Sequence, residues 1–270
     1  MIHEIIKLRD YYPIDSCATL ECFSPYTTDA KQSVKPGILI CPGGGYEFVS
    51  LREGDAIALS FMLKGYNCFV LTYTVCKGTS KKPLYPLPIL ESLAAIDFLK
   101  NNCKKYYLDK EKIYMMGFSA GAHLAGICGY LYRDNNLLSS LGLSLKDNLR
   151  PFGLCLAYPV ISTTKHTHAA SVTNLTNDDP NLVDLLSIEN HVCGDYPPTF
   201  IWTLENDTIV PNLNTKMMDK SLCKYNVKHE TIIYKEGFHG ISNALSLVND
   251  KDYPGVMDWV DLCDKFFKSI

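Results

Sequence analysis

A chain of 270 residues, 47% hydrophobic and 20% charged, holds enough apolar side chain for one large α/β domain or two small ones and argues against a disordered chain. A formal charge of -3, with no long basic or acidic run, argues against a nucleic-acid or membrane-surface partner. No run approaches the roughly 20 apolar residues of a membrane helix.

Glu4 and Asp10 interrupt the N-terminal apolar residues, so Met1 to Tyr12 does not read as a signal peptide. The eleven cysteines are odd in number and scattered, with no C-x-x-C pair. Several, such as Cys68, Cys128 and Cys155, sit inside apolar runs where a free thiol packs as a small hydrophobe. Reduced thiols in a cytoplasmic protein are expected.

In chain order, Ile2 to Leu8 and Ala18 to Phe23 read as short strands suited to an antiparallel sheet edge. From Gly37 the pattern becomes an alternation of buried strands and helices. The strands are Gly37 to Cys41, Asn67 to Tyr73, Lys112 to Met116, Gly153 to Tyr158, Thr199 to Thr203 and His229 to Tyr234. The helices are Asp55 to Lys64, Ile89 to Asn101, Ala120 to Tyr132, Asn212 to Cys223 and Met257 to Phe267. That alternation predicts a mostly parallel twisted sheet with helices on both faces. Pro83 to Pro88 is a loop leading into a helix rather than a linker, and Val160 to Pro197 breaks the alternation with only a weak helical pattern around Leu182 to Ile188. So long a connection in a compact domain predicts a small cap over a site, within a single domain spanning 1–270.

Four motifs carry chemistry. Gly117-Phe118-Ser119-Ala120-Gly121 joins a strand to a helix, the context in which G-x-S-x-G forms a sharp turn that exposes a serine nucleophile. Pro42-Gly43-Gly44-Gly45-Tyr46 follows a strand, and its glycines allow backbone N–H groups to approach a ligand. It lacks the lysine of a phosphate loop and the spacing of a dinucleotide loop. Gly44 or Gly45, opposite Ala120, would supply an oxyanion hole. Glu205-Asn206-Asp207 lies past the Thr199 strand, with Asp207 the chosen acid and Glu205 its competitor. Gly237-Phe238-His239-Gly240 offers a histidine in a late glycine-flanked loop, completing the order Ser, Asp, His. Tyr46 and Phe48 are candidates for the pocket wall. His166 and His168 have no carboxylate or cysteine partner at ligand spacing, so neither metal nor other cofactor is expected.

Pro42 to Tyr46, Glu53 to Ala58 and Gly65 through Tyr73 resemble bacterial carbohydrate-esterase-like α/β hydrolases, the group of acetylxylan, feruloyl and xylanase-associated esterases. Gly117 to Ala125, Asp207 to Pro211 and Gly237 to Gly240 are similar to that group's elbow, acid loop and histidine loop. Thr74 stands where those relatives commonly have arginine, and Ala122 where glycine is usual. The resemblance implies the α/β-hydrolase fold and a serine esterase acting through Ser119, His239 and Asp207 on a small acyl ester, acetyl first, of a carbohydrate. A peptidase, formamidase or lipase-type hydrolase using the same residues stays open, as does a non-catalytic binding module, and the chain is compatible with a homo-oligomer.

Overall fold

The computed structural model describes residues 1–25, 34–76 and 82–270. These residues form eight strands: β1 (Ile2–Lys7), β2 (Thr19–Ser24), β3 (Lys35–Cys41), β4 (Asn67–Thr72), β5 (Leu108–Phe118), β6 (Leu154–Ala157), β7 (Thr199–Leu204) and β8 (His229–Tyr234). They make one sheet in the order β1-β2-β4-β3-β5-β6-β7-β8. The β1–β2 and β2–β4 pairings are antiparallel, and every pairing from β4 across to β8 is parallel. The helices are α1 (Asp55–Met62), α2 (Leu87–Asn101), α3 (Ala120–Leu131), α4 (Asn135–Ser140), α5 (Ala169–Thr176), α6 (Pro180–Leu185), α7 (Leu213–Lys224) and α8 (Trp259–Lys268).

The central strands are continuous apolar runs because both faces of the sheet are covered. Alternate residues go to opposite cores. Leu39, Cys41, Phe69, Leu71 and Met115 face one side with Leu93 of α2, Leu124 of α3 and Met218 of α7. Ile38, Ile40, Val70 and Met116 face the other with Ile57 and Phe61 of α1 and Trp259 and Phe267 of α8. The expected α/β-hydrolase architecture, with its antiparallel N-terminal edge, is the one observed.

Topology locates the cleft. The chain leaves β3 for β4 on one side, then crosses back to β5 on the other side of β3. The carboxyl ends of β3 and β5 therefore flank a topological switch point, where open α/β sheets form ligand crevices. The glycine loop follows the first of these strands and Ser119 the second.

Helices α4 and α5 were not legible in the pattern, whereas α6 overlaps the weak helical signal around Leu182 to Ile188. Helix α4 is six residues long and starts on the Asp134 carboxylate, which accepts from the Asn136 and Leu137 N–H groups. The segment 160–197 contains α5 and α6, and side chains of the main body hold it. Asn214 accepts from the Ile161 and Ser162 N–H groups at 3.0 and 3.1 Å. The Tyr130 hydroxyl donates to the Leu185 carbonyl at 2.8 Å.

His123, buried within α3, anchors the same segment. Its Nε2 donates to the Leu186 carbonyl at 2.8 Å, and its Nδ1 accepts from the Tyr46 hydroxyl at 3.0 Å. Both ring nitrogens are thus satisfied in the neutral form, and burial pushes the histidine down to about 4 from 6.5. A pKa lowered by folding means that the unfolded chain binds the extra proton first. The stability it confers is complete above pH 6.5 and is lost as pH falls toward 4, on the order of 2 kcal/mol at pH 5. Thermal melts at pH 7 and pH 5 should show a steeper acid loss in the wild type than in His123→Gln; equal losses would contradict the assignment.

Candidate active site

At the β5–α3 junction Ser119 adopts φ 53° and ψ -117°, a conformation rare for a residue with a side chain. The turn closes only over bare backbone. A Cβ at Gly121 would lie 2.0 Å from the Cys41 carbonyl oxygen, and one at Gly117 would lie 2.2 Å from the Gly121 carbonyl oxygen. The Ser119 N–H donates to Ala157 O of β6 at 3.0 Å, while its carbonyl accepts from Ala122 and His123 in the first turn of α3. The side chain is thereby aimed out of the sheet at its carboxyl end.

Asp207 follows β7. Its Oδ1 accepts from the N–H groups of Ile209 and Val210, both at 2.9 Å, which sets the carboxylate's orientation. Its Oδ2 meets His239 Nδ1 at 2.7 Å, and its side chain is fully buried. Glu205 is exposed, and Asp207 is the acid hydrogen-bonded to the histidine. His239 lies between β8 and α8, flanked by Gly237 at φ 117° and Gly240 at φ 82°. Its Nε2 stands 2.8 Å from Ser119 Oγ. A continuous line therefore runs from buried carboxylate through imidazole to hydroxyl, the arrangement able to draw a proton from the serine.

Beside this line the glycine loop bends back on itself. The N–H groups of Glu47 and Phe48 donate to Gly44 O, and Gly44 has φ 123°, where a Cβ would lie 2.0 Å from Phe48 O. Among the described residues no hydrogen bond occupies the N–H groups of Gly44, Gly45 or Ala120. A cavity of about 450 Å³ opens here, lined by these glycines, Phe48, Arg52, His168, Ala170 and Ile209 together with Ser119 and His239. That volume suits a small molecule. His168 and Ala170 belong to the 160–197 segment.

Tyr46 does not line this cavity. It is fully buried beneath the loop, its hydroxyl bonded to His123 and its ring edge-on to Tyr73, because the loop's reversal turns residue 46 inward and residue 48 outward. The expectation for Tyr46 is corrected accordingly.

Glu53 carries a role that the sequence reading left unassigned. It is 2% exposed and sits in the cavity wall. Its Oε2 accepts from the Gly43 N–H at 2.7 Å and its Oε1 from the Tyr158 hydroxyl at 2.6 Å. Burial raises its pKa, opposed by these two hydrogen bonds. The Tyr158 ring in turn packs edge-on against the His239 imidazole, centroids 5.0 Å apart. Its acidity between Arg52 and Gly54, in a run already noted for its resemblance, was the available signal; the partner 105 residues away was not. Thr74, at the position where arginine was expected, donates its N–H to the buried carboxylate of Glu91 at 2.7 Å.

Comparison with known proteins identifies the family. The BD-FAE family model matches residues 25–222. Endo-1,4-beta-xylanase B of Butyrivibrio fibrisolvens is 35% identical over 228 residues, 81% of this chain but 34% of that protein. An acetylxylan esterase of Xylanibacter ruminicola is 26% identical over 235 residues, 84% of this chain and 44% of that one. The chain thus spans about a third to under half the length of these relatives. Among solved structures, an acetyl ester-xyloside bifunctional hydrolase from Caldicellulosiruptor lactoaceticus superposes with a TM-score of 0.81 at 30% identity, covering 98% of this chain and 96% of that one. A carboxylesterase from Lactobacillus plantarum superposes at 0.83 with 22% identity over 100% and 98% of the two chains, a likeness of fold. With a family match over well more than half its length and structural agreement from end to end, the chain belongs to the BD-FAE family, esterase-like proteins built on the α/β-hydrolase fold.

Proposed function

We propose that the chain is a serine carboxylesterase that removes short acyl groups, acetyl first, from a carbohydrate alcohol. The observation that carries this reading is the unbroken line Asp207–His239–Ser119, with contacts of 2.7 and 2.8 Å, ending beside unoccupied backbone donors. His239 Nε2 takes the Ser119 proton as Oγ attacks the ester carbonyl, and Asp207 stabilises the imidazolium that forms. The carbonyl oxygen, now negative, is received by the N–H of Ala120 and of Gly44 or Gly45, each donor worth about 10²- to 10³-fold in turnover. The alcohol leaves with the proton from His239, and water activated by the same nitrogen releases the acid from the acyl-serine. These steps need no metal or organic cofactor.

The short-acyl preference draws support from the cavity's modest size and from similarity to an acetylxylan esterase and an acetyl ester-xyloside bifunctional hydrolase. Segment 160–197 serves as a small cap, contributing His168 and Ala170 to the wall. No helix among the described residues is long and apolar enough to cross a membrane.

Glu53 enters this mechanism as a positioning residue. By holding the Gly43 N–H it sets the loop from which the N–H of Gly44 or Gly45 meets the oxyanion, and through Tyr158 it braces His239.

Hydrolysis of p-nitrophenyl acetate, butyrate and octanoate, with acetylated xylo-oligosaccharides and aminoacyl amides alongside, tests the reading. The wild type should favour acetate, and a folded Ser119→Ala should lose at least about 10³-fold in kcat. Activity confined to the amides would sink the carbohydrate assignment, and an inactive wild type would favour a binding module. Glu53→Gln turns an amide N–H toward one of two donors and should lower kcat about 10- to 100-fold with KM nearly unchanged. Wild-type kcat in that variant would remove Glu53 from the account.

A further inference from the structure

Asp219 and Cys223 stand one turn apart on α7, and His229 opens β8 beside them. A carboxylate oxygen, the Sγ and a ring nitrogen of these residues lie within 4.8 Å of one another. His229 Nε2 is 3.5 Å from Cys223 Sγ and 3.4 Å from Asp219 Oδ1. On the other side of the ring, Nδ1 lies 2.7 Å from the Val227 carbonyl, which only accepts, so Nδ1 carries the hydrogen. In the tautomer with hydrogen on Nδ1, Nε2 is an electron-pair donor that faces a carboxylate oxygen and a sulfur. The Thr231 hydroxyl donates to Asp219 Oδ1 at 2.6 Å and orients that carboxylate.

This is not a second nucleophilic relay. In a relay the acid holds one ring nitrogen and the thiol faces the other; here both face Nε2, and a backbone carbonyl holds Nδ1. The two spacings from His229 are those of a coordination shell. A tetrahedral zinc ion with ordinary bond lengths holds nitrogen and sulfur about 3.5 Å apart, and nitrogen and oxygen about 3.4 Å apart. A metal-bound histidine whose remaining N–H is held by a carbonyl is the usual outer-shell arrangement.

We propose that Asp219, Cys223 and His229 form a binding site for a divalent zinc-like cation, with solvent as the fourth ligand. Mixed thiolate, imidazole and carboxylate ligands select a borderline-soft ion such as Zn²⁺ over Mg²⁺ or Ca²⁺. The site lies at the amino end of β8, opposite the carboxyl ends where the catalytic residues gather. Its role is to staple α7 to the edge strand whose far end leads into the His239 loop.

The test is a Co²⁺ titration of the chelator-treated 270-residue chain. One Co²⁺ per chain should bind with tetrahedral d–d absorption and a thiolate charge-transfer band, displaced by Zn²⁺, and Zn²⁺ should raise the melting temperature. Cys223→Ser and His229→Gln, checked for folding by circular dichroism, should each weaken binding by at least roughly tenfold and abolish the thermal shift while retaining p-nitrophenyl acetate hydrolysis. Cys17→Ser, which alters an exposed thiol elsewhere, should bind normally. Wild-type protein without the charge-transfer band, or equal affinity in wild type and both variants, would overturn the site and leave a protonated His229 paired with Asp219.

Discussion

Ser119 is held at a positive φ by a turn with no room for side chains on either flank, and the rest of the site is arranged around that constraint. Such a backbone conformation costs about 1–3 kcal/mol and persists only where its surroundings over-determine it. Here the Gly121 backbone packs directly on the carbonyls of Cys41 and Pro42 at the end of β3. That contact brings the start of α3 against the start of the glycine loop. The strained serine and the loop's free N–H groups are adjacent because the same glycine lets two backbones touch.

Charge is distributed on both sides of His239. Asp207, fixed by two backbone N–H groups, meets Nδ1, while Glu53 lies buried across the cleft and reaches the imidazole through Tyr158. The two carboxylates do different work. In the proposed mechanism Asp207 compensates the proton that His239 accepts; Glu53 has both oxygens hydrogen-bonded, to the Gly43 N–H and the Tyr158 hydroxyl. Each buried carboxylate is tolerable because its oxygens are hydrogen-bonded.

Strands and the long helices were legible because their signal is local. Ile38-Leu39-Ile40 and Tyr114-Met115-Met116 are apolar in succession because the sheet is covered twice, and Ser119 was readable because strand, glycines and helix occur in immediate order. Helix α4 was not, since six residues begun by an aspartate cap carry no period. The helices of 160–197 rest on distant partners, His123 and Asn214 among them, and not on their own amphipathic pattern. Tyr46 was misplaced because adjacency in sequence cannot say which side of a reversing loop faces the cavity. Glu53 needed Tyr158, and the Asp219 trio needed a strand and a helix to converge; neither pairing is written in a spacing rule.

The central claim is that Ser119 is the nucleophile and His239 its base. Labelling with a p-nitrophenyl phosphonate ester, followed by intact-mass and peptide mass spectrometry, tests it most directly. The account predicts one adduct per chain, on the peptide containing Ser119, formed far more slowly in a folded His239→Ala variant. An adduct on another residue, no adduct at all, or labelling unaffected by loss of His239 would contradict it.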